Sequence, residues 1–255
     1  MRSQMCTEMR TQVRAEVWSK VRPQELTSRQ PGVRPPDAVS QRPEVAAQRL
    51  IETYTALAAR GEHLLKALLE GNPSRQWQHY PEDDAIDMVS GYQWFYHSHS
   101  AEDRPGATEH GHFHLFARRP LWARRLQSNA EKAFARLTHN PKKTVNTRHL
   151  LTIGMNAKGV PESVFTVNSW VTGDLMLSAP TTALLLAQMR LNTGHHAIDT
   201  VLECVTHLCP NEIAQVLSMR DATLSSRGSR NVLANESLEV LSEVPIDLDQ
   251  KSASI

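Results

Sequence analysis

Two alternating runs constrain the fold of this chain more than any other feature. GYQWFYHSH occupies residues 91–99 and EHGHFHLFAR occupies 109–118, with Asp-Arg-Pro-Gly between them at 103–106. Aromatic-rich alternation reads as a strand, and a Pro-Gly step reads as a turn. A β-hairpin is therefore expected near 91–118. Side chains two apart share a face of a strand. His97 and His99 then point one way from the first strand, and His110, His112 and His114 point one way from the second. Tyr92, Trp94 and Tyr96 alternate onto the opposite face, where they read as core.

Antiparallel pairing adds a register. If His99 faces His110, then His97 faces His112 and Phe95 faces His114, and opposed Cβ atoms stand about 5 Å apart. Five of the twelve histidines fall within these two runs. Neutral imidazole is a ligand for Fe, Zn or Cu, and three histidines with an open position make a catalytic arrangement. The expected metal ligands are thus His97, His99, His110, His112 and His114, with His112 central, and five histidines have room for two ions. Glu109 is the candidate catalytic acid or base, although a regular strand turns it away and only a bulge re-aims it. The competing readings are a metal-free histidine acid–base site and a plain surface cluster.

Elsewhere the pattern is helix, hairpins, then helices. Leu50, Tyr54, Leu57, Gly61, Leu64 and Leu68 predict an amphipathic helix from Pro43 to a stop at Gly71. Residues 72–90, with Pro73, Pro81 and four acids, read as irregular. RHLLTIGMN at 148–156 and SVFTVNSWVT at 163–172 flank a turn and predict a second hairpin. Helices are expected from Ser178 to about Asn192, around Ile198–Leu208, and after Asn211. This order predicts an α+β domain over 43–226: an antiparallel sheet of two or more hairpins with helices packed on one face. Residues 1–42 read as a basic, Pro-containing disordered arm and 227–255 as a loose polar tail.

Further candidates surround the hairpin. His79 and Asp87, with Asp83 and Asp84, precede the first strand and can orient or join a ligand set, unless they form a solvated loop. Asn168, Trp170 and Asp174 sit at a strand end where polar groups line clefts, or where turn chemistry ends the strand. Residues 117–149 hold nine Lys or Arg against one acid. Within that block Arg118, Arg119, Arg124 and Arg125 are candidates for an anion site, weighed against a solvated basic helix. Cys204, His207 and Cys209 suggest core cysteines and a capping histidine more than a metal set.

HYP at 79–81, YHSHS through EHGHFHLFAR at 96–118, and IGMNAKGVPESVFTVNSWVTGD at 153–174 together resemble a bacterial family, number 6969 among the domains of unknown function. The resemblance spans about residues 45–225 and implies one domain, with no activity attached.

The charge balance, 28 Lys and Arg against 27 Asp and Glu, argues against a nucleic-acid coat protein. No run is apolar enough for a membrane span. Three cysteines make no disulfide framework, and the start of the chain lacks the apolar core of a secretory signal, so a reducing cytoplasm is expected. The functional expectation is a metal-dependent oxidoreductase or hydrolase acting on a small molecule. Its alternatives are a non-catalytic metal-binding or sensing protein and an anion-binding module using the arginines. Metal identity, substrate and oligomeric state are left open.

Overall fold

Pro43 opens helix α1 (Pro43–Ala59), where a first-turn proline forfeits no hydrogen bond. The helix buries Ala46, Ala47, Leu50 and Leu57, the stripe its spacing predicts. It ends earlier than expected: Gly61 takes φ +64, and Leu64, Leu65 and Leu68 reach the core from the turns that follow. The structure is a computed structural model, and it describes residues 42–69, 78–98, 109–139, 145–227 and 231–255. Nearly all of the expected arm, with Cys6, lies outside those residues. So do Gly71, the Asp-Arg-Pro-Gly turn and His99.

The predicted hairpin is present as β2 (Tyr92–Ser98) and β3 (Gly111–Arg118). Its register pairs His97 with His112 and Phe95 with His114, as the alternation requires. The second hairpin is β4 (Thr147–Met155) with β5 (Pro161–Val167). Its second strand is shorter than expected, because Asn168 caps a single helical turn, α4 (Ser169–Thr172). With β1 (Tyr80–Ile86) and β7 (Val240–Pro245), the described sheet has seven strands in the order β1-β2-β3-β4-β5-β7, with β6 (Leu175–Met176) running parallel beside β4.

Two of these strands correct the sequence reading. β1 (Tyr80–Ile86) lies inside the segment read as irregular and pairs with β2. Proline and acids are tolerated there because the strand is an edge, with its pairing broken between Tyr80 and Ala85. β7 (Val240–Pro245) falls in the expected polar tail yet pairs with β5 along its length. Leu241, Ser242 and Val244 are buried, and Ser242 Oγ donates to Val216 O. The folded region therefore extends well past residue 226.

The rings of Tyr92, Trp94 and Tyr96 turn to one face with Phe113, Leu115, Leu151, Ile153 and Val164. Against that face pack α1, α5 (Ala179–Ala187), α6 (His196–Leu208) and α7 (Pro210–Arg227), in one apolar cluster. Two buried polar groups of β2 find partners on these helices. Trp94 Nε1 donates to Asp199 Oδ1 at 2.9 Å, and Tyr92 OH donates to Leu185 O at 2.7 Å. The short helix α8 (Leu248–Ala253) packs on α6 and α1.

The basic segment is broken rather than one helix. It comprises α2 (Arg119–Trp122), a 3-10 turn at Ala123–Gln127, and α3 (Asn129–Leu137). Arg119 and Arg124 are exposed, whereas Arg118 and Arg125 are half-buried. Arg148, from the same block, is buried on β4 with its guanidinium 4.0 Å from the Trp122 ring centroid. Phe134 of α3 joins Met176, Leu224, Val232 and Leu241 in a second, smaller cluster. Among the described residues no helix is long and apolar enough to cross a membrane.

Candidate metal centre

The face of the sheet opposite the main core carries the histidines. His97 comes from β2, His112 and His114 from β3, and one ligand nitrogen from each lies within 4.8 Å of the others. Period-two alternation puts all three on one side, and the His97–His112 pairing closes the distance between strands. Their relative exposures are 8%, 3% and 1%, so this is a buried cluster and not a surface patch. His112 Nε2 stands 3.0 Å from His114 Nε2.

The outer nitrogens of two of these rings are held from elsewhere. Glu109 Oε1 lies 3.2 Å from His112 Nδ1, with the Glu109 side chain itself buried. A carboxylate beside Nδ1 places the proton there and leaves Nε2 as the lone-pair donor. His114 Nδ1 faces His149 Nε2 at 3.1 Å and Thr152 Oγ1 at 3.3 Å. Phe95, Phe116 and Phe165 ring the group, with centroids 4.9 Å from His114, 5.3 Å from His149 and 5.0 Å from His112 respectively. Burial, reinforced by His112, His97, His149 and His79, pushes the His114 imidazole well below the usual histidine range. Burial and then the Arg220 charge bring His149 down to about 3. Both rings are neutral near pH 7, the form in which histidine binds metal.

The remaining predicted residues divide. His110 does not join the cluster: it sits in a bend before β3, is exposed, and lies 3.2 Å from the Tyr96 hydroxyl of the opposite face. That same bend frees Glu109 from strand alternation and turns it toward His112. His99, the expected partner of His110, lies outside the described residues. His79 stands at the rim, stacked on Phe95 at 3.8 Å and 6.2 Å from His97, with Nδ1 3.3 Å from Asp84 Oδ1.

Asp87 is a turn anchor, accepting from the amides of Val89, Ser90 and Asn192. Asn168 caps its helical turn and donates to Val232 O. Trp170 Nε1 donates to Leu238 O, and Asp174 accepts from Thr147 Oγ1. Each of these bonds ties a turn or strand end to its neighbours. Cys204 and Cys209 are buried free thiols, and His207 lies 2.9 Å from Arg190 Nη1.

His149 is the residue that sequence reasoning missed. Simple alternation along β4 places it with Leu151 and Ile153 on the core face. The β3–β4 register slips between Leu115 and Phe116, pairing Leu115 with Leu151 but Phe116 with His149. Leu150 is the extra residue of this bulge, and it moves His149 to the face of Thr152. A histidine opening a buried strand was the available signal, but nothing local marks the bulge.

Arg124 and Arg125 line a shallow groove with Ser128, Pro180, Thr181 and Leu184. The nearby start of α5 is already neutralised: Glu131 Oε1 accepts from the Ser178 amide and hydroxyl, and Asp221 accepts from the Ala179 amide.

Together these features define an α+β protein with a buried histidine triad on the face of an antiparallel sheet opposite its main core. Residues 44–246 match the family described as a domain of unknown function, DUF6969, and the chain belongs to that family. No curated protein and no solved structure matches the chain.

Proposed function

We propose that this protein is a metal-dependent enzyme whose single transition-metal ion is held by the Nε2 atoms of His97, His112 and His114. The observation carrying the reading is the convergence of three buried imidazoles within 4.8 Å, two of them with Nδ1 held by neighbouring side chains. Partners at the outer nitrogen fix the tautomer and the ring plane of a ligating histidine. Glu109 does this for His112, and His149 with Thr152 does it for His114. Without an ion, three imidazoles in contact gain little and repel one another once protonated.

Among the described residues, the donor count favours catalysis over a structural role. Structural sites close with four protein ligands, whereas three histidines leave a position for substrate or water. His112 Nε2 and His114 Nε2, 3.0 Å apart, are close enough for one ion of Fe, Zn or Cu to bind both. The ion would act as a Lewis acid or an oxygen-chemistry centre toward a small molecule.

The test is elemental analysis of protein purified without an affinity tag. Native protein is expected to carry about one equivalent of a transition metal. His112→Ala and His114→Ala should retain a minor fraction of it while keeping their far-ultraviolet circular dichroism. Equal metal content in native and variant proteins would overturn the reading.

A further inference from the structure

We propose that an ion on His97, His112 and His114 completes its coordination with a small anion, and that the site's ligand class is a small carboxylate. This rests on the metal reading above and adds the chemistry of what the ion receives.

The donor set carries no charge, because each imidazole binds as the neutral base. The nearest carboxylate does not offset the ion from within its coordination sphere. Glu109 Oε1 is engaged at Nδ1 of His112, on the far side of that ring from Nε2. Glu109 Oε2 lies against Gly154 on β4. Among the described residues, no Asp, Glu or Cys joins the three histidines in the cluster.

Among the described residues the immediate border of the triad is largely apolar. Three phenylalanine rings border the imidazoles. Glu109, one imidazole away, offsets part of a divalent ion's charge, and the net positive charge that remains in an apolar setting is unfavourable unless a further anion neutralises it. Three protein donors fill fewer positions than the four to six such ions take. The phenylalanine border suits a ligand with one anionic end and a small apolar remainder, which describes a simple carboxylate.

Tag-free apoprotein is loaded with Co(II) and followed by its visible absorption, then titrated separately with acetate, azide and acetamide. The cobalt bands are expected to shift saturably with acetate and with azide. Acetamide, the neutral counterpart of acetate, should leave them unchanged over the same range. Cobalt bands insensitive to both anions would overturn the proposal and leave the metal site standing. Equal responses to acetate and acetamide would overturn it as well, because charge would not be the basis of recognition. Failure of cobalt to bind at all would instead overturn the metal reading beneath it.

Discussion

Gly154 lies opposite His112 in the β3–β4 pairing. A Cβ placed on it would stand 2.7 Å from Glu109 Oε2 and would also collide with Ser163 Oγ. The absence of a side chain there is what lets the Glu109 carboxylate lie over β4 and reach His112 Nδ1. Both neighbours are ends of flexible side chains, so Gly154→Ala should leave the strand paired and displace the carboxylate. Losing the partner of a ligating histidine typically weakens metal affinity by about 10- to 100-fold. Gly154→Ala and Glu109→Ala should each fall in that range. If both act through the same contact, the double variant should be little worse than either alone. Additive losses, measured by competition with a chelator, would show that Gly154 and Glu109 act independently.

At the scale of elements, legibility followed the strength of local periodicity. β2 and β3 were readable because strict alternation fixes the face, and a slip of one residue would have moved one set of histidines to the other side. The register itself followed from an assumed His99–His110 pairing. β1 and β7 were hidden for opposite reasons. β1 carries Pro81 and acids that an edge strand tolerates, and β7 lies in a polar stretch with no hairpin partner beside it in sequence. Two side chains of the candidate site depend on departures from regular strand: the bend at His110 admits Glu109, and the bulge at Leu150 admits His149. The bulge at Leu150 has no local signature such as a glycine, and the bend at His110 is marked by Gly111 alone. The basic segment yields a plainer prediction. Arg124 is exposed, and Arg125 is half-buried with one bond, from Nε to Leu121 O at 3.2 Å. Replacing both with Gln should change stability by no more than about 1 kcal/mol each, as for other surface charges. Loss of several times that amount in urea denaturation would mean the groove they line holds an anion in the native protein.

Across the whole molecule, the two faces of the sheet have separate tasks. The apolar cluster joining α1, α5, α6 and α7 to one face holds the fold, while the histidines occupy the other. The apoprotein should therefore stay folded, unlike a zinc finger, in which metal affinity is folding energy. Its stability should nevertheless depend on pH, with a definite sign. Burial takes His149 from its ordinary 6.5 to about 3 and His207 to about 4, and lowers His114 in the same direction. The unfolded chain protonates these rings near pH 6.5 and the folded chain does not, so the unfolded state binds more protons as pH falls. Stability is then fully present above about pH 6.5 and declines below it, by about 1.4 kcal/mol per pH unit for each such ring. For His149 the decline ends near pH 3, where the folded state takes up its proton as well. His149→Gln removes one of these rings without adding a titrating group. Urea midpoints of apoprotein between about pH 7.5 and 5 should fall less steeply in that variant than in native protein, by about one proton's worth of slope. Parallel slopes would mean that His149 is not held neutral, and that its ring does not reach His114 as the bulge in β4 places it.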